Sequence, residues 1–278
     1  MDSKAQPSRK INSIPELGRI DVLIAKQINQ VYDLIPELRN KKRIPKTTEL
    51  LTVHLLTTDA IKYAIFTSAQ SENIYSVKIL FRSMIEHFLR FQYIWMMYID
   101  SEDGESCSKD YYLKSILSEK LSVIKSTIAK NDLQNKKGKS KNDLWNEIQA
   151  SNTEFAGISI SQVEDFEREI QIKKIIRKLS DKMEDRPDSG RNLLRDLISR
   201  YAALSSYVHG GMRAYQEYIT SEKMEKSPTE LTVICGFTLQ IATMIKTQSL
   251  TVFHKEMDEF GPFRTAIEDL QKQIIPAP

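Results

Sequence analysis

Apolar residues recur along most of the chain at spacings of three and four, and no segment shows the period-two alternation of a half-buried strand. Ser13-Ile14-Pro15-Glu16 reads as a capping box, and Leu17, Ile20, Ile24, Ile28, Val31 and Ile35 follow it on one helical face. A second helix is predicted over 48–68, with Leu51, Leu55, Ile61 and Ile65 inward. A third, over 72–99, carries Ile74, Val77, Phe81, Ile85, Phe88 and Trp95. Its last third, FLRFQYIWMMYI, is apolar almost all round, as in a helix buried on several sides. Arg90 and Gln92 within it argue against a membrane span.

Beyond a polar loop at 101–110, the pattern predicts a fourth helix over 110–130 and a short one over 142–150. Ser161-Gln162-Val163-Glu164 reads as a capping box opening a charged helix that runs to Met183. Arg186-Pro187-Asp188-Ser189-Gly190 is a break. The next helix, over 192–208, meets Gly210-Gly211 as a stop. Ser227-Pro228-Thr229-Glu230 supplies a cap, a first-turn proline and a first-turn acid for a helix reaching Phe260. Gly261-Pro262 ends it, and a short helix closes the series near Ile274. The fold expected is an all-α bundle of about six to eight helices in a single domain over 1–278. Residues 131–160 are expected as a mobile insertion or hinge, and 275–278 as a disordered tail.

Composition narrows the chemistry. With 278 residues, 41% of them apolar and only 9 Gly and 9 Pro, the chain is neither collagen-like nor low in complexity. Two cysteines, Cys107 and Cys235, make no disulfide framework, four-thiolate zinc site or CxxC pair. No GxGxxG, P-loop, HExxH or GxSxG motif occurs. The Glu-x-x-His pair of di-iron bundles is also absent, since Leu51, Met84, Ser206 and Thr251 precede the four histidines by three. No cofactor and no metal is expected. The polar N-terminus and the lack of a long apolar run predict a cytoplasmic protein without a membrane span. The net charge of +3 is mild. Arg39, Lys41, Lys42, Arg43 and Lys46 form one basic run, and Lys136, Lys137, Lys139 and Lys141 another. Either can meet phosphates, but without interleaved aromatics both read as solvated surface charge.

Two polar stripes interrupt the apolar pattern. Arg82, Glu86 and Arg90 stand at i, i+4, i+8 in the third helix. Charges among apolar neighbours must be paired, so the stripe is either a salt-bridge ladder fixing helix register or a polar pocket in which Arg82 binds an anion. Tyr201, Ser205 and His209 form the second stripe at the end of a later helix. His209 either caps that helix, where an imidazolium suits the dipole, or meets Arg82 or Glu86 across the bundle.

Arg82 and His87 also match the Arg-x-x-x-x-His signature and so resemble HEPN domains, helical bundles many of which are metal-independent ribonucleases of bacterial defence and toxin systems. In such a site arginine stabilises charge developing on phosphate and histidine moves a proton at the ribose hydroxyl. Five steps of about 100° place His87 roughly 140° around the helix from Arg82, which favours His209 as the working imidazole. Taken together, LFRSMIEHFLRFQYIW and RYAALSSYVHGGMRAY resemble the two hallmark helices of an uncharacterised bacterial all-helical family. Its L-x-R-S-x-x-E and Y-x-x-L-S-x-x-x-H motifs fall on Arg82, Ser83, Glu86, Tyr201, Leu204, Ser205 and His209, and the likeness covers about residues 45 to 220.

The resemblance implies a HEPN-like effector cleaving RNA. Arg82, Glu86, His209 and His87 would be catalytic, and Tyr201, Ser205 and Arg90 would hold the substrate. RNA or a nucleotide, and a homodimer or a partner protein of a defence complex, are the partners implied. The alternative is a non-enzymatic helical module that binds a nucleotide, an anionic ligand or a protein.

Overall fold

A computed structural model describes residues 13–40, 44–134, 138–183, 188–221 and 228–272. Eleven α-helices are present among them: α1 (Ile14–Asn40), α2 (Pro45–Gln70), α3 (Ile74–Asp100), α4 (Gly104–Leu133), α5 (Lys141–Ser151), α6 (Ile160–Glu169), α7 (Ile172–Met183), α8 (Asp188–Val208), α9 (Met212–Ser221), α10 (Pro228–Glu256) and α11 (Gly261–Gln271). Among the described residues there are no strands, as the periodicity predicts, but the count exceeds six to eight.

The excess arises where short polar cues redirect the chain. The expected loop at 101–110 is largely helix, because the Asp103 side chain accepts from the Ser106 amide and starts α4 early. Gly104 suits that start, since a Cβ there would lie 2.7 Å from the Tyr98 carbonyl oxygen. The capping box expected at Ser161 sits two residues earlier, on Ser159 and Gln162. The charged helix read as one splits into α6 and α7, because the apolar Ile170 at the α6 C-terminus turns inward among Leu50, Ile94 and Tyr111. Helix α8 begins at Asp188, so the expected break at 186–190 is partly helical; Arg186 and Pro187 lie outside the described residues. Ser13 accepts from the Glu16 amide at 3.4 Å as its motif predicts. Gly210, at φ +62°, follows the end of α8 as its stop. The cap expected at Ser227 and the tail 275–278 fall outside the described residues.

Helix α3 is the axle of the bundle, packing against α2, α4, α7, α8 and α10. This explains why its last third is apolar on nearly every side. The main core joins α1, α2, α3, α7, α8, α10 and α11 around Phe81, Phe88, Phe91 and Phe253. A smaller cluster closes α4, α5 and α6 around Leu117, Leu121, Trp145 and Phe155. There the Trp145 indole donates to the Ile158 carbonyl at 2.8 Å.

A charged network, with buried lysines and partly exposed carboxylates, lies where α1, α2 and α10 meet. Lys246, whose side chain is 1% exposed, donates to Asp59 Oδ1 at 2.6 Å. Lys62 lies 3.0 Å from the same oxygen and also pairs with Asp21. The Tyr32 hydroxyl donates to Asp59 Oδ2 at 3.3 Å. Burial alone would raise the Asp59 carboxyl, but the two ammoniums outweigh it and hold it below the usual carboxylate range. Burial, with repulsion from Lys62, holds the Lys246 ammonium below its usual range. Removing the shared acceptor strands Lys246 and leaves Lys62 only Asp21, so Asp59→Asn is expected to cost about 3–5 kcal/mol in urea unfolding. Lys246→Met leaves Asp59 its Lys62 partner and is expected to cost clearly less.

Candidate functional site

The two polar stripes meet. Arg82, Glu86 and Arg90 stand on successive turns of α3, and the first two face Tyr201 and Ser205 of α8. Arg82 Nη2 donates to the Tyr201 hydroxyl at 2.9 Å, and Arg82 Nε reaches Ser205 Oγ at 3.5 Å. The Arg82 guanidinium also lies over the Tyr201 ring, 4.5 Å from its centroid. Arg82 Nη1 donates to Glu86 Oε2 at 3.4 Å, and Arg90 Nη2 donates to Glu86 Oε1 at 3.0 Å. The Tyr201 hydroxyl in turn donates to Glu86 Oε2 at 3.3 Å. Burial, then the Glu86 carboxylate, push the Tyr201 phenol above its usual range, which keeps that donor protonated. Ser205 Oγ donates to the Tyr201 carbonyl at 3.0 Å, fixing its rotamer.

Arg90 closes the far end. Its Nη1 donates at 3.1 Å to the carbonyl of Ile170, freed where α6 stops, and the Tyr111 hydroxyl bonds its guanidinium. Tyr111 and Ile170 both line a neighbouring cavity of about 260 Å³. Two guanidiniums thus share one carboxylate, so this end of the row carries an excess of positive charge. The row is mostly buried, with Arg82 14% and Arg90 30% exposed.

One turn before Arg82, Lys78 extends the same stripe. Its ammonium contacts the Tyr207 hydroxyl at 3.0 Å, Glu217 at 3.1 Å and Glu230 at 3.0 Å. Burial opposes its charged form, but these three partners outweigh that and raise its pKa above the ordinary lysine range. This end, with two carboxylates on one ammonium, is negative, and it borders a cleft of about 620 Å³ between α3, α8, α9 and α10. The sequence reading missed Lys78, Tyr207 and Glu217, although the i−4 spacing from Arg82 carries the signal.

The histidines do not join the ladder. His87 turns toward α2, where its Nε2 lies 3.0 Å from the His54 carbonyl and 3.1 Å from His54 Nδ1. A carbonyl only accepts, so the geometry assigns the proton to His87 Nε2 and leaves His54 Nδ1 bare. His209 is exposed just past the end of α8, about 6 Å along the helix axis from Ser205, and its ring makes no hydrogen bond among the described residues.

Burial, then the neighbouring His87 and Arg90, hold the His54 imidazole well below its usual range. Burial and Arg90 lower His87 as well, against the raising effect of its bond to the His54 carbonyl. The unfolded chain therefore binds more protons than the native one below about pH 6.5, and stability falls as pH drops through that value. Urea midpoints measured between pH 7.5 and 5.5 are expected to fall with pH, and His54→Gln to flatten that slope.

A family model described as a family of unknown function, DUF5677, matches residues 51–227, which covers α2 to α9. No curated protein and no solved structure matches the chain. The match takes in more than half of the sequence and includes every member of the arginine ladder and its α8 partners, so the chain belongs to the DUF5677 family.

Proposed function

We propose that the chain is a non-enzymatic helical module that binds an anionic ligand of the phosphate class, such as a nucleotide, in the groove between α3 and α8. One observation carries the reading: Arg82 and Arg90 share the single carboxylate of Glu86 in a row that is partly exposed at Arg90. Uncompensated guanidinium charge in a partly desolvated setting favours a bidentate anion. Tyr201 and Ser205 add neutral hydroxyls beside it. Binding here needs no proton transfer, which suits a groove whose nearest buried imidazole, His87, is engaged by His54.

A second reading keeps the HEPN-like likeness and assigns metal-independent RNA cleavage in a bacterial defence or toxin setting. It is favoured by His209, which is exposed on the same stripe of α8 as Tyr201 and Ser205. Arg82 would then stabilise charge on phosphate and His209 would move the proton.

Thermal-shift titrations with inorganic phosphate, AMP and ATP separate these readings from a purely structural ladder. The wild-type protein is expected to gain thermal stability as ligand concentration rises. Arg82→Lys keeps a charge but loses the planar fork, and is expected to weaken binding by about tenfold or more. Equal shifts in wild type and variant would overturn the site. In EDTA, an RNA oligonucleotide is expected to remain intact. Its degradation, abolished by both Arg82→Ala and His209→Ala, would replace binding by cleavage.

A further inference from the structure

The cavity of about 260 Å³ beside the arginine row is bounded by α3, α4, the end of α6 and α7. Its apolar lining comes from Ile94, Met97 and Ile170, with the rings of Tyr93 and Tyr111, whose centroids are 6.0 Å apart. Its charges are separated. Where α4 meets α6, Lys114 holds Asp110 at 2.7 Å and Glu169 at 2.8 Å, so two carboxylates share one ammonium. On α7, Lys178 donates to the Tyr93 hydroxyl at 3.2 Å and has no carboxylate partner among the described residues. The four charges cancel in sum, yet the α4–α6 contact carries an acidic excess and α7 a basic one.

We infer that this cavity binds a free α-amino acid with an apolar side chain. The carboxylate meets Lys178 and the Tyr93 hydroxyl, the ammonium meets Asp110 and Glu169, and the side chain lies against Ile94, Met97 and Ile170. Three observations select that class. The first is charge: a site neutral in sum but split in sign keeps its balance around a ligand that is itself neutral and split. A simple anion leaves the acidic pair with one cation, and a simple cation leaves Lys178 with a phenol alone. The second is hydrogen bonding, since the Tyr93 hydroxyl accepts from Lys178 and keeps its own proton to donate to a carboxylate. The third is size: the volume lies below the roughly 300 Å³ at which pockets for drug-sized ligands begin, which suits an amino acid rather than a nucleotide. Arg90 touches the cavity wall from behind, at Tyr111 and the Ile170 carbonyl, but the site does not depend on anion binding in the groove between α3 and α8.

Cys107 supplies the readout. It lines the cavity and is partly exposed, whereas Cys235, the second of the two cysteines, is buried. Labelling of the full chain by N-ethylmaleimide, followed by intact mass, therefore reports occupancy. L-leucine and L-phenylalanine at millimolar concentration are each expected to slow labelling by about fivefold or more. For leucine, 4-methylpentanoate lacks the ammonium and 3-methylbutylamine lacks the carboxylate, and each is expected to need about tenfold more for the same protection. Lys178→Gln alters a partly exposed side chain, so helical circular dichroism is retained, and it is expected to raise the protecting amino-acid concentration about tenfold. Arg82→Lys is expected to leave that concentration unchanged. Unslowed labelling with both amino acids overturns the proposal. So does equal protection by either leucine analogue, protection that survives Lys178→Gln, or protection lost in Arg82→Lys.

Discussion

Asp59 is the acceptor on which the bundle turns. One carboxylate accepts from Lys246 on α10, from Lys62 on its own helix and from Tyr32 on α1. Hydrophobic burial is indifferent to small slides of one helix along another, whereas a shared oxygen is not. The network therefore sets the relative heights of α1, α2 and α10. The position of α3 follows, because α3 packs on both α2 and α10. A register fixed among α1, α2 and α10 is what lets Arg82 and Glu86 meet Tyr201 and Ser205 at hydrogen-bond distance.

The row is graded in charge along α3. At Lys78 two carboxylates face one ammonium, and toward Arg90 two guanidiniums face one carboxylate. The gradient lies along a groove walled by α8, with His54 and His87 held neutral by burial on the α2 side of the same helix. The two imidazoles and the guanidinium row are thereby divided between different faces of α3. An Arg-x-x-x-x-His spacing on a straight helix produces that division, because five residues carry the chain well past one full turn.

The all-α class and the principal helices were legible in the sequence because the apolar spacing of α1, α2, α3 and α10 is long and regular. The two polar stripes were legible too, because each lies on an i, i+4 spacing amid apolar residues, but the sequence offered His209 as the group that crosses between them, whereas Tyr201 and Ser205 are the residues that meet Arg82 and Glu86. Three features were not. The α6–α7 split depends on Ile170 finding Leu50 and Tyr111, which are distant in sequence. The tie between Lys246 and Asp59 spans 187 positions, and one lysine in an apolar run does not name its counter-ion. The direction taken by His87 depends on His54, on a helix whose facing residues no local pattern specifies.

The contact between Arg90 and the Ile170 carbonyl links two parts of the molecule that otherwise have separate cores. The guanidinium that serves the ladder also caps the end of α6, next to the cluster that holds α4, α5 and α6 together. A molecule that recruits Arg90 competes for that cap, and loosening the cap returns the guanidinium to the groove. Such linkage is reciprocal: were a ligand to engage Arg90, its binding and the docking of the α6–α7 corner would bias one another, alongside the packing of α4 on α2 and α3 that also joins the two cores.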